Sequence, residues 1–240
     1  MRLRAALTAV VCLALFGVLL GLVESRWGPL LRLDQRTESG LHSFAEAHTF
    51  WSAVQRMVSA LLSPTALRIT AALVVLWLWW RGARLAALWV ALVTACQAAL
   101  EIGVKDAVAR PRPAYGHPVT TATGWSFPSG HAMTAATVLT LFALLLLPHA
   151  RGRTARWALL GAAALLVLLV SWSRLALAVH WPSDVLGAWL LARALLGAVT
   201  AAFDFVRPGR RAAETAALHL RSSRRVQPDR AEDGSRTTAD

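Results

Sequence analysis

The sequence predicts an all-α membrane protein, a bundle of six transmembrane helices with an additional amphipathic helix lying in the interface. Three observations lead there. Of 240 residues, 56% are hydrophobic and only 16% charged, far from the mix of a soluble globular domain. Apolar runs long enough to span a hydrocarbon core recur along the chain. The segments between them are rich in arginine, proline and glycine, residues that stop helices or sit at membrane edges.

Ala5 to Val23 follows a short basic start and is the first expected span. It is long for a cleaved leader, and no small-residue cleavage site follows before Glu24. Residues 24–63 form the longest polar connection. Within it Leu41, Phe44, His48, Trp51, Val58 and Leu61 recur at three- and four-residue steps, the stripe of an interfacial amphipathic helix on which His42 and His48 are expected to be interfacial side chains rather than ligands.

Pro64 opens the second span, which runs into an aromatic belt at Trp77, Trp79 and Trp80. Arg81 and Arg84 turn the chain into a third span, Leu85 to about Val104, ending at Lys105. The density of Pro111, Pro113, Gly116, Pro118 and Gly124 makes residues 105–128 a loop. The fourth span runs from Ser129 to Leu147, a basic turn from Pro148 to Arg156 follows, the fifth span is Trp157 to Trp172, and the sixth begins at Pro182 and ends near Val206. The expected organisation is therefore a membrane domain over 1–206 and a basic tail over 207–240, too polar to bury a core and expected to be disordered.

The formal charge of +12 comes from 24 arginines and a single lysine against 13 acids. On so apolar a chain this balance suits membrane-flanking loops and excludes nucleic acid as the natural partner. Cys12 and Cys96 both fall inside apolar segments, so no disulfide framework is implied. Six spans put both termini on one side. The short basic turns at 81–84 and 151–156 favour the cytoplasm for that side, with the tail, in a multi-pass plasma-membrane protein. Loop 105–128, the start of the fourth span and the stretch Ser173 to Asp184 then share the outer face.

Those three segments carry the chemistry. Lys105 and, after six intervening residues, Arg112-Pro113 offer one anion a compact cation and a planar one. Pro128-Ser129-Gly130-His131 opens a helix whose first N–H groups attract phosphate and whose glycine lets backbone approach it. Ser173-Arg174, His180 and Asp184 place an arginine fork, a histidine and a carboxylate at a membrane edge, where charge needs a reason. A histidine held by a carboxylate through one ring nitrogen has the other free to attack. His117, Tyr115 and Arg110 in the loop are expected to be solvated. Arg193, inside the sixth span, needs a partner or a wet cavity, and Glu101 is a candidate partner.

Taken together, Lys105, Arg112, Pro113, Pro128, Ser129, Gly130, His131, Ser173, Arg174, His180 and Asp184 resemble the three-part signature of the type 2 phosphatidic acid phosphatase superfamily, which includes bacterial acid phosphatases and vanadium haloperoxidases. The motifs span 105–184, no position departs from the signature, and the hydropathy extends the likeness over about 5–206.

The resemblance implies a membrane phosphatase acting on a lipid phosphate. His180 would be the nucleophile and Asp184 its orienting carboxylate, with His131 the acid and base. Lys105, Arg112, Ser129, Gly130 and Arg174 would hold the phosphoryl oxygens, with no metal or other cofactor. Undecaprenyl diphosphate is the first substrate expected, with phosphatidate, phosphatidylglycerol phosphate and diacylglycerol pyrophosphate beside it. Two other classes share the scaffold, a vanadate-dependent haloperoxidase and a non-catalytic lipid-binding or transport protein. The largely soluble habit of the haloperoxidases speaks against the first, and the intact histidine pair with its aspartate against the second.

Overall fold

The structure is a computed structural model that describes residues 2–210 and 213–217. The described residues hold no strand, and their long α-helices are α1 (Arg2–Glu24), α2 (Gly28–Ala47), α3 (Thr49–Leu61), α4 (Pro64–Trp80), α5 (Arg84–Val108), α6 (Gly130–Leu146), α7 (Gly152–Ala176) and α8 (Pro182–Val206), with a short 3₁₀ turn at Leu147–His149. Six helical segments are long and apolar enough to cross a membrane. They are Leu3–Glu24, Thr49–Trp80, Arg84–Val108, Gly130–His149, Gly152–Ala176 and Pro182–Val206. The second of them runs through the junction of α3 and α4, and α2 is not among them.

Helix α6 is the axis of the bundle. It is buried on nearly every side, including Met133, Val138 and Leu141, and packs against α4, α5, α7 and α8. Helix α1 lies along α8, where Gly197 brings the two backbones together. A Cβ at Gly197 would stand 2.7 Å from the Ala5 carbonyl oxygen, so only glycine permits that approach. Outward faces carry Leu13, Leu73, Leu76, Trp80 and Leu165 exposed, as a lipid-facing surface requires.

Two helix starts fall where the proline positions predict. Pro64 and Pro182 each take the first helical position, where the missing N–H costs nothing. Ser63 caps α4 by accepting from the Ala66 N–H at 3.3 Å.

Other boundaries differ from expectation. Helix α5 does not stop at Lys105 but continues through Asp106 to Val108, because that end faces a polar cavity rather than lipid. Arg153 and Arg156 lie in the first turns of α7, not in a turn before it, and α7 carries Ser173 and Arg174 at its other end.

The amphipathic region is two helices broken at His48. Of the apolar stripe read from the sequence, Phe44 and Leu61 are exposed and Leu41, Trp51 and Val58 half-buried, whereas the inward face of α2 is largely polar, with Asp34, Glu38 and His42 buried. His42 is thus not an interfacial side chain, while His48 is exposed. Part of the expected disordered tail is also ordered. Residues 213–217 are helical, and the Glu214 carboxylate accepts from the Leu85 and Ala86 N–H groups at 2.9 and 3.3 Å, closing the start of α5. Residues 211–212 and 218–240 of that tail lie outside the described residues.

Candidate active site

Alternation of the helices brings the C-terminal ends of α5 and α7 to the same end of the bundle as the N-terminal ends of α4, α6 and α8. A cavity of about 540 Å³ opens there, lined by Lys105, Arg112, Gly130, His131, Arg174 and His180 among others. Six of the eight site residues read from the sequence thus share one cavity. Asp184 lies behind His180 and is fully buried. Ser129 is buried too, and its Oγ has no partner among the described residues, so it does not cap α6 through its side chain. Ser173, although part of the motif, donates to the Val170 carbonyl at 2.7 Å and does not line the cavity.

His180 sits in the five-residue link between α7 and α8, where Ala178 takes a left-handed conformation (φ +55°) that reverses the chain. Its Nδ1 donates to Asp184 Oδ2 at 3.2 Å, and its Nε2 accepts from Arg112 Nη1 at 2.9 Å. This tautomer follows from the network, since a carboxylate only accepts and a guanidinium only donates. Burial, followed by the charges of Arg112, Arg174 and Lys105, pushes the His180 imidazole well below its ordinary value of 6.5. The ring is neutral, and the Nε2 lone pair is met by Arg112 Nη1. Asp184 is held on its other edge. Oδ2 accepts from the Trp181 N–H at 2.9 Å, and Oδ1 accepts from Arg110 Nη1 at 2.7 Å.

Arg112 is a frame member of the loop. Its Nε donates to Gly124 O at 2.9 Å, Nη2 to the carbonyls of Thr123 and Trp125 at 3.1 Å each, and Nη1 to Val179 O at 2.9 Å as well as to His180. Arg174 is buried and hydrogen-bonded through Nη1 to Ser59 Oγ on α3. Lys105 pairs with Glu101 at 3.2 Å, and Glu101 is held by Arg68 at 2.7 Å and Gln97 at 3.0 Å. Arg193 is therefore not the partner of Glu101, the candidate considered for it. Glu101 faces the site, and Arg193 is exposed on α8. A Cβ at Gly130 would stand 2.2 Å from Glu101 Oε1, so a side chain there would have to displace the Glu101 carboxylate.

This constellation is a neutral imidazole oriented by a carboxylate, faced by a second histidine and surrounded by cations at a helix N-terminus. Residues 86–208, more than half of the chain, match the PAP2 superfamily. The chain belongs to the PAP2 superfamily. Among solved structures it is similar to one described as the first transmembrane PAP2 type phosphatidylglycerolphosphate phosphatase from Bacillus subtilis. Identity is 22% over 84% of this chain and 98% of the other, with a TM-score of 0.74. No curated protein matches the chain. It is a multi-pass PAP2 member with the all-helical transmembrane fold of that structure.

Around the PAP2 motifs lie residues that sequence reasoning missed. Arg110, expected to be solvated, is buried. It bridges Asp184 and Asp34 of α2, the latter at 2.8 Å, stacks over Trp181 and donates to Ser183 Oγ at 2.7 Å. Ser183 in turn donates to both oxygens of Asp34, from its N–H at 3.0 Å and its Oγ at 2.5 Å. Tyr115 donates to Glu38 and packs edge-on against His42, while His117 is exposed as expected. To the cavity lining α3 contributes Arg56 and Ser59, and Ser63, the cap of α4, joins them. The signal was present in both helices. Asp34, Glu38 and His42 repeat at four-residue steps on α2, and Arg56 and Ser59 stand three apart on α3, so each set shares one face of its helix.

Proposed function

We propose that this protein is a membrane lipid phosphatase that hydrolyses a lipid phosphate or diphosphate through a phosphohistidine intermediate, with its active site on the outer face of the plasma membrane. PAP2 membership and the likeness to a PAP2 phosphatase support the phosphatase activity. The observation that carries the mechanism is His180, tied by Nδ1 to Asp184, so that Nε2 is the unprotonated nitrogen that can attack once it exchanges its Arg112 hydrogen bond for phosphorus.

His180 Nε2 forms the bond to phosphorus while the bond to the lipid oxygen breaks, and His131 protonates that leaving oxygen. His131 then takes a proton from water. The water oxygen attacks phosphorus, the N–P bond breaks, and inorganic phosphate leaves with His180 restored. Asp184 stabilises the imidazolium character of the intermediate. Lys105, Arg112, Arg174 and the Gly130 N–H stabilise charge on the phosphoryl oxygens, with Ser129 beside them, and supply what a divalent ion would otherwise bring.

The site lies at one end of the bundle and Arg81, Arg84, Arg207 and Arg210 cluster at the other. The positive-inside tendency favours a cytoplasmic position for the arginine end, so the phosphate pocket faces outward. A substrate whose tail stays in lipid while its phosphate reaches the pocket suits that position, and undecaprenyl diphosphate is the first candidate.

The test is hydrolysis of a lipid phosphate in excess chelator, with and without vanadate, in wild type and His180→Asn. Vanadate adopts the five-coordinate geometry of phosphorus in flight and should compete with substrate. The expected result is activity in chelator, inhibition by vanadate, and loss of turnover in His180→Asn with the fold retained. Activity abolished by chelator and restored by magnesium would sink the metal-independent mechanism. Near-wild-type activity in His180→Asn would remove the nucleophile.

A further inference from the structure

We infer that Arg56 on α3 forms a second phosphate subsite, so that the substrate is a lipid diphosphate. The inference rests on the phosphatase reading and refines it.

The cations of the family signature are already committed. All five N–H groups of Arg112 are engaged by loop carbonyls and His180. Lys105 is shared with Glu101, and Arg174 is tied to Ser59. These three surround His180 and account for the one phosphoryl group that is transferred. Arg56 lines the same cavity from α3, outside the residues that match the family. Its one hydrogen bond among the described residues is from Nη1 to the Val119 carbonyl, long at 3.3 Å, and no described carboxylate lies within ion-pair distance of it. The guanidinium is exposed and keeps most of its five donors for a ligand.

Charge points the same way. Arg56, Lys105, Arg112 and Arg174 line the cavity against one carboxylate, Glu101, with His180 neutral. A phosphate monoester carries about 1.5 to 2 negative charges, and a second phosphate adds about one more. With Arg56 counted, the pocket has cation to spare for the larger anion. An arginine fork also fits the paired oxygens of a phosphate better than a point charge does.

In the cleavage step His180 Nε2 bonds to the terminal phosphorus and the bond to the bridging oxygen breaks. The leaving group is the lipid monophosphate, and the charge it gains falls beside Arg56. A side chain there therefore acts on the diphosphate reaction and has nothing to hold in the monophosphate reaction.

The experiment compares farnesyl diphosphate with farnesyl monophosphate in detergent micelles, using wild type, Arg56→Ala and Arg56→Lys. Losing one charge-assisted contact should lower kcat/KM for the diphosphate about 30- to 100-fold in Arg56→Ala and leave the monophosphate within about threefold, with Arg56→Lys between. Inhibition by inorganic pyrophosphate and by phosphate gives a readout independent of the tail. Wild type should bind pyrophosphate more tightly, and Arg56→Ala should erase that preference. Equal losses on both substrates, or no loss on either, would overturn the subsite. If wild type cleaves neither farnesyl ester nor any other lipid phosphate, the phosphatase reading itself fails and takes the subsite with it.

Discussion

Arg110 donates to the Asp184 oxygen that does not face His180, at 2.7 Å, and so fixes the carboxylate from behind. Its other terminal nitrogen reaches Asp34 at 2.8 Å, making a buried chain of acid, base and acid between α2 and the start of α8. Removing only the arginine leaves two buried carboxylates without the cation they share. Arg110→Gln should therefore destabilise the protein by about 3–5 kcal/mol and reduce kcat, because a buried charge stripped of its partner is costly. Removing Asp34 as well restores the original net charge. Melting in detergent and turnover should both recover in Asp34→Asn/Arg110→Gln relative to Arg110→Gln alone. Additive losses in the double variant would show that the two do not act as a unit.

Glu38 offers a test by pH. Burial on the inner face of α2 pushes its carboxyl up to about 7. The folded state thus binds the proton more tightly than the unfolded state, whose value is near 4.5. Stability contributed by the protonated form is complete below that unfolded value and is lost as pH rises through about 7. Glu38→Gln is neutral throughout. Its melting temperature relative to wild type should rise by about 3 °C between pH 5 and pH 8, measured in the same detergent. A gap that does not change with pH would show that Glu38 is ionised at both.

A side chain at the opening of α6 would have to displace Glu101. A methyl at Gly130 would strike Glu101 Oε1 and come within 3.2 Å of Lys105 Nζ, and Glu101 is pinned by Arg68 and Gln97. Gly130→Ala should cost about 10- to 100-fold in kcat/KM, since small displacements of positioning groups are expensive. Shortening the obstacle in Gly130→Ala/Glu101→Ser should return part of that loss. No recovery would place the damage in the helix start itself.

Sidedness is open to chemistry on intact cells. With Cys12 and Cys96 replaced by serine, Gly116→Cys in the loop beside the site should react with a membrane-impermeant thiol reagent, and Arg153→Cys at the start of α7 should react only after the membrane is opened. The reverse pattern would put the phosphate pocket in the cytoplasm.

The spans and motif residues were legible because each follows a short-range rule. Pro64 and Pro182 mark helix starts, and the signature residues hold fixed spacings that the fold closes around one cavity. Lys105 misled as a boundary, since charge usually ends a span and here it faces a cavity instead. Helix α2 misled by sign. Its periodicity is that of any amphipathic helix, and periodicity does not say which face is inside. In a membrane-edge helix packed over a charged site, the polar face with Asp34 and Glu38 turns inward. The partner of Glu101 was not legible, because Arg68 comes from α4, a contact between distant segments that no spacing announces.

The pairing of α1 with α8 fixes an order of events in biosynthesis. The first helix ends at Glu24, and its packing partner begins at Pro182. At translation rates of about 5–20 residues per second, α1 waits roughly ten to thirty seconds in the bilayer before the surface around Gly197 exists. Until then it can be held only by lipid, a helper protein or weaker neighbours. His180 and Asp184 arrive with that late helix. A nascent chain therefore gathers its cations first and becomes capable of chemistry only as the bundle closes.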